Sequence, residues 1–165
     1  VIKRAVTMNP RSLRGFTLIE MVIVVMIVGI LASAAMPLAA LHKRRGQEAE
    51  LRQSLRTLRL ALDDYKKAWD AGRIEKTTGE TGYPPSLRVL VQGVKDVSTP
   101  SDQKIYFLRR LPRDPFADPT LPAEETWGLR SYASPPESPQ PGKDVFDVHS
   151  LTAGQGLDGT PLRSW

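Results

Sequence analysis

The 165-residue chain contains no cysteine. That absence excludes a disulfide framework, thiol nucleophiles and zinc-thiolate sites; it fits an oxidising compartment without requiring one. Histidine is nearly absent as well, with only His42 and His149 present. His149 falls on an expected strand with Ser150 and Asp147, but adjacent strand residues point to opposite faces. Ser150, His149 and Asp147 therefore make no nucleophile, base and orienter chain. No phosphate loop, metal motif or dinucleotide fingerprint occurs, and no helical pattern follows the glycines at Gly154, Gly156 and Gly159. The chain reads as non-enzymatic.

Negative charge is scarce in the first third, where Glu20 is the one acid before Glu48. The net charge of +5 comes almost entirely from Lys3, Arg4, Arg11 and Arg14, all before Gly15. Without that segment the chain is close to neutral, so a basic surface for nucleic acid is not expected.

What is present begins with the apolar run 16–41, FTLIEMVIVVMIVGILASAAMPLAAL, whose single charge is Glu20. At about 1.5 Å per residue, a helix of this length crosses a bilayer core of roughly 30 Å. A basic start, an apolar run and small residues over 32–35 also form the pattern of a secretory signal. Glu20 argues against that reading, because a carboxylate within an apolar segment costs on the order of 2.5–3.5 kcal/mol at mid-membrane and less near the interface. Lys43, Arg44 and Arg45 nearly balance the basic residues on the other side, so charge does not set the orientation. His42, beside this cluster, reads as a headgroup contact.

Leu51, Leu55, Leu58, Leu62, Tyr65 and Trp69 then recur at alternating spacings of four and three, the stripe of an amphipathic helix. Glu48 with Arg52, and Asp63 with Lys67, stand at the supportive four-residue spacing. No strong stop intervenes, so one helix is expected over 16–71, ended by Gly72. Gly29, Pro37 and Gly46 are its weak points, and Pro37 predicts a kink or loosened turn over 33–37. Beyond Gly72, Ser86 is placed to cap a short helix carrying Leu87, Leu90 and Val91. Residues 104–111 read as either a short helix or an extended piece. Dense prolines exclude regular helix after Leu111, and short strands are expected over 128–133 and 144–150. The fold class is α+β: a long helix packed on a small antiparallel sheet, with loop-rich connections.

The segment RGFTLIE, Arg14 to Glu20, followed by a transmembrane-length run, resembles the prepilin peptidase site of type IV pilins and type II secretion pseudopilins. YPPSLRVLV at 83–91, YFLRRLPRDPF at 106–116 and VFDVHSL at 145–151 look like the major, G-class pseudopilin. The resemblance implies a type IV pilin-like fold and four segments: a leader, 1–15; a transmembrane assembly helix, 16–41; its amphipathic continuation, 42–71; and a periplasmic globular region, 72–165. It implies cleavage between Gly15 and Phe16, N-methylation of Phe16, and a role for Glu20 in subunit assembly. Pro37, with Gly29 upstream, matches the region where the family's helix is thought to melt in filaments. Met8 would start a short leader, MNPRSLRG, with Val1 an upstream start.

By the same resemblance the partners are other copies in a helical filament, minor pseudopilins, the prepilin peptidase, and an inner-membrane platform with its ATPase. The chain would cross the inner membrane once with its C-terminal region periplasmic, as a structural subunit of a pseudopilus that drives protein export. A type IV pilus or DNA-uptake pilin, and a membrane-anchored periplasmic binding domain, are the alternatives. The G class also implies a structural calcium bound by several acids after the last strand. Here that stretch reads SLTAGQGLDG, which leaves Asp158 as the single candidate calcium ligand and an ordinary glycine loop as the alternative.

Overall fold

The computed structural model describes residues 15–165, without the side chains of residues 34–37. The expected leader up to Arg14 and the ring of Pro37 lie outside the described residues. Helix α1 spans Leu18–Asp70 without a break in its assignment, close to the expected 16–71. The chain divides into two compact units after His42. In the first, the described side chains of residues 15–33 are all exposed, including the apolar ones from Leu18 to Leu31.

In the second unit, the stripe on α1 is the spine of the core. Leu51, Leu55, Leu58, Leu62 and Tyr65 are buried, joined by Ala61 and Ala68, while Trp69 is only partly covered. Against them pack Leu87, Leu90, Trp127, Val145, Val148 and Leu162 from elements distant in sequence. Gly72, at φ +70°, ends the helix in a paired closure: its N–H donates to Trp69 O at 3.0 Å, and the Arg73 N–H donates to Ala68 O at 2.9 Å. A left-handed residue is required there, which is why glycine follows the stripe.

Helix α2 (Leu87–Gln92) forms where expected, but Ser86 makes no side-chain cap; its carbonyl, not its hydroxyl, accepts from Val89 N–H. Strands β1 (Val94–Lys95) and β2 (Lys104–Ile105) pair antiparallel. That settles the start of 104–111 as extended. Strands β3 (Trp127–Arg130) and β4 (Asp147–Ser150) form a second antiparallel pair, with Trp127 opposite Ser150 and Gly128 opposite His149. Both are shorter than the expected 128–133 and 144–150. The sheet is thus two separate two-stranded ladders.

The ladders are short because buried carboxyls, rather than strand pairing, organise the loops. Asp144 accepts from Ser131 Oγ and Tyr132 N, both at 2.8 Å, and from Thr81 Oγ1 at 2.5 Å. Asp96 accepts from Arg73 and from the Ser98 amide and hydroxyl, fastening the β1–β2 hairpin to the end of α1. Asp114 does the same for the proline-rich loop, accepting from Phe116 N at 2.8 Å and from Ser150 Oγ on β4 at 2.5 Å.

Candidate functional site

Two places carry the expected functional residues, one in each unit. The first is the start of α1. Gly15, Phe16 and Thr17 precede the helix, and Phe16 is 72% exposed. The Glu20 N–H donates to Thr17 Oγ1 at 3.3 Å, and the Thr17 N–H donates to Glu20 Oε2 at 3.5 Å. This reciprocal arrangement is a capping box, with Thr17 before the first turn and Glu20 three residues on. It satisfies two of the amides that a helix start leaves without partners. The Thr-Leu-Ile-Glu spacing carried this signal, which the reading of Glu20 as an isolated apolar-run acid passed over. The carboxyl therefore has a local structural partner as well as an exposed position. Gly29 lies within the continuous helix and a Cβ there would meet nothing within 4 Å, so packing inside the chain does not require a glycine.

The second place is the loop after β4, residues 151–165. Arg44, Glu48, Arg52 and Arg59 lie along one face of α1, spaced four, four and seven apart, and all reach this part of the chain. Arg44 Nη2 donates to Gln155 O at 2.7 Å. Glu48, buried, accepts from the Leu157 N–H at 2.8 Å. Arg52 Nη2 donates to Asp158 Oδ2 at 3.0 Å, and its guanidinium lies 4.2 Å from the centre of the Trp165 ring. Arg59 donates to Asp147 Oδ1 at 2.9 Å, to Val148 O at 3.2 Å and to Trp165 O at 2.7 Å. The other Asp158 oxygen, Oδ1, accepts from the Thr160 amide at 3.0 Å and hydroxyl at 2.7 Å. These hydrogen bonds, with the nearby Arg52 charge, hold the Asp158 carboxyl below the usual carboxylate range.

Both expected helix pairs are rearranged, the first of them by this loop. Arg52 turns to Asp158 instead of Glu48, while Glu48 faces Arg44 at 3.8 Å and the Leu157 amide. Lys67 pairs with Asp64 at 2.9 Å rather than with Asp63. Spacing on one helix ranks local pairs only; a carboxylate or carbonyl brought in by a distant segment outcompetes them.

The residues weighed for chemistry do not assemble. Ser150 Oγ donates to Asp114, Asp147 is engaged by Arg59 and Arg130, and His149 lies against Gly128 of the opposite strand. Burial pushes the His149 imidazole below its ordinary value; the Asp147 charge pulls the other way, and the Arg163, Arg130 and Arg59 charges add to the lowering.

The prokaryotic N-terminal methylation motif matches residues 11–36. A type II secretion system core protein G from Klebsiella michiganensis is 31% identical over 113 residues, covering 66% of this chain and 72% of that protein. The protein of the same name from Vibrio cholerae is 30% identical over 156 residues, covering 91% of this chain and 88% of its own length. The chain belongs to the core protein G family of type II secretion. The type IV major pilin protein PilA of Myxococcus xanthus is 39% identical over 77 residues, covering 47% of this chain and 34% of that protein. No solved structure shows a significant match. The α+β architecture, a long first helix with small antiparallel ladders, is type IV pilin-like.

For a core protein G family member the loop after β4 has an unexpected donor set. Calcium takes about six to eight oxygens, usually with several carboxylates. Among the described residues no group of three or more histidine, aspartate or glutamate side chains converges. Asp158 has both oxygens committed to protein donors, one of them a guanidinium, and Gln155 O is taken by Arg44. The residues present do not fit the ion.

Proposed function

We propose that this core protein G family member is a structural subunit of a periplasmic pseudopilus, anchored by α1 in the inner membrane until it is drawn into the filament. The observation that carries this reading is the run of apolar side chains from Leu18 to Leu31, exposed and interrupted only by Glu20 among the charged residues. Such a surface needs lipid or the matching helices of other copies to cover it. Its length and apolar composition suit both environments.

On this reading prepilin peptidase cuts between Gly15 and Phe16, and the new terminus of Phe16 is methylated. The exposed stretch before α1 supports it, since a protease needs an extended, accessible bond. Glu20 then gains a second role. A carboxylate in a low-dielectric bundle is costly unless paired, and the terminal ammonium of a neighbouring subunit's Phe16 supplies the partner. Because burying either charge alone is unfavourable, the pair favours one axial register over others. Gly29 and Pro37 would ease local loosening of the helix as subunits pack. Growth would be worked by a cytoplasmic ATPase through an inner-membrane platform, with minor pseudopilins at the tip.

The test is mass spectrometry of the N-terminal peptide from the membrane fraction, with Glu20→Ala beside the native chain. Both proteins should begin at methylated Phe16, while Glu20→Ala should fail to form filaments in an overproducing strain. An intact leader on the native chain would refute the pathway; normal filaments from Glu20→Ala would refute the pairing.

A further inference from the structure

The cationic face of α1 has a consequence for the loop it holds. Three guanidiniums and one buried carboxylate reach from the helix into residues 155–165; the carboxylate, Glu48, takes the Leu157 N–H, and the guanidiniums take oxygens that a metal ion could otherwise use: Gln155 O, Asp158 Oδ2 and Trp165 O. Arg52 is fixed twice, by the Asp158 carboxylate on its edge and by the Trp165 ring on its face, and the Trp165 Nε1–H in turn donates to Thr160 Oγ1 at 2.6 Å. Thr160 closes the circuit by donating to Asp158 Oδ1. The loop backbone is pinned beside it, with the Gly156 N–H on Thr160 O at 2.7 Å and the Leu162 N–H on Gly154 O at 2.9 Å, which seats fully buried Leu162 in the core. A divalent cation would have to displace a guanidinium from its carboxylate and sit among like charges, with one loop carboxylate to attract it.

We infer that Arg44, Arg52 and Arg59 lock the loop after β4 in place of a bound divalent cation, so that this family member folds and persists without calcium. The inference concerns residues 43–165 alone, and its failure would leave the filament reading untouched. Its physical basis is substitution of one kind of cation for another: a metal gathers several carboxylates, whereas a fixed guanidinium needs one carboxylate and can use backbone oxygens and an aromatic face for the rest.

The experiment uses the full chain purified in detergent. Thermal unfolding is followed by tryptophan fluorescence in millimolar calcium and again in excess chelator, while hydrogen exchange is read at the Leu157 and Leu162 amides. The two unfolding midpoints should coincide, and loop exchange should be the same in both conditions. Arg52→Ala should speed exchange at these amides about five- to tenfold, the loss expected for an exposed ion pair plus a cation–π contact. Arg52→Lys should fall between, because it keeps the charge but not the planar fork. A saturable rise of the native midpoint with calcium would overturn the inference, as would unchanged loop exchange in Arg52→Ala. Should Arg52→Ala not fold, Asp158→Asn tests the same clamp from the loop side, and the calcium comparison on the native chain needs no variant.

Discussion

Replacing Asp114 should reveal how much of the second unit rests on a single carboxyl. Its side chain is 2% exposed and joins two segments 36 residues apart, accepting from Phe116 N in its own loop and from Ser150 Oγ on β4. Thr126 Oγ1 accepts from the Asp114 amide and donates to Ala123 O, so the loop, the 3₁₀ turn Ala123–Thr126 and β4 share one polar cluster. Asp114→Ala strands the Ser150 hydroxyl and the Phe116 amide. Each buried group left without its partner costs about 1–3 kcal/mol, so a loss of about 2–5 kcal/mol is expected. Asp114→Asn keeps an acceptor for Phe116 N–H and turns an amide toward Ser150 Oγ, which can accept; about 1 kcal/mol should be lost. The assay is urea unfolding of the full chain in detergent, followed by the emission of Trp127, which is buried and donates to Pro112 O at the head of this loop. If Asp114→Ala stayed within about 0.5 kcal/mol of the native chain, the carboxyl would not be holding loop to strand.

Leu58, fully buried at the centre of the α1 stripe, should lose about 2–5 kcal/mol as Leu58→Ala in the same urea assay. Gly128→Ala should destabilise through a different route, because a Cβ there would run into the His149 ring across the ladder; a thermal midpoint equal to that of the native chain would mean the ring swings away freely. Acidification should destabilise the fold in two steps. His149 has a lowered folded value, so the unfolded chain binds the proton first, and stability should fall as pH drops from about 7 through the lowered imidazole value. His149→Gln should flatten that limb of a midpoint-against-pH curve. Below about pH 5 a second loss should begin as Asp96, Asp144 and Asp158 protonate, their carboxyls being lowered in the fold. For Asp144 burial opposes that shift, and hydrogen bonds from Thr81, Tyr132 and Ser131 outweigh it.

Helix α1 was legible because its determinants are local. The apolar run needs no partner to be recognised, the four-three spacing from Leu51 to Tyr65 marks a buried face by geometry alone, and Gly72 marks the end by its backbone freedom. The sequence likewise placed α2 and both strands of the second ladder to within a few residues. It overran β3 and β4 because alternation says which residues can extend, not where a pairing partner stops. It assigned a cap to Ser86 from residue type, although the hydroxyl makes no cap bond. It assigned Arg52 to Glu48 because both stand on one helix at the favourable spacing.

The long helix, the isolated acid at Glu20, the leader-like motif before it and the poverty of acids after β4 are therefore all readable from the chain without its fold. Those follow from spacing and composition over stretches a few turns long. The pairing of the polar residues is set by the fold: Asp114 with Ser150, Asp144 with Thr81, and the arginines of α1 with Gln155, Asp158 and Trp165. A charged side chain takes whichever partner the fold delivers, and most of these partners lie tens of residues away, out of reach of any local pattern.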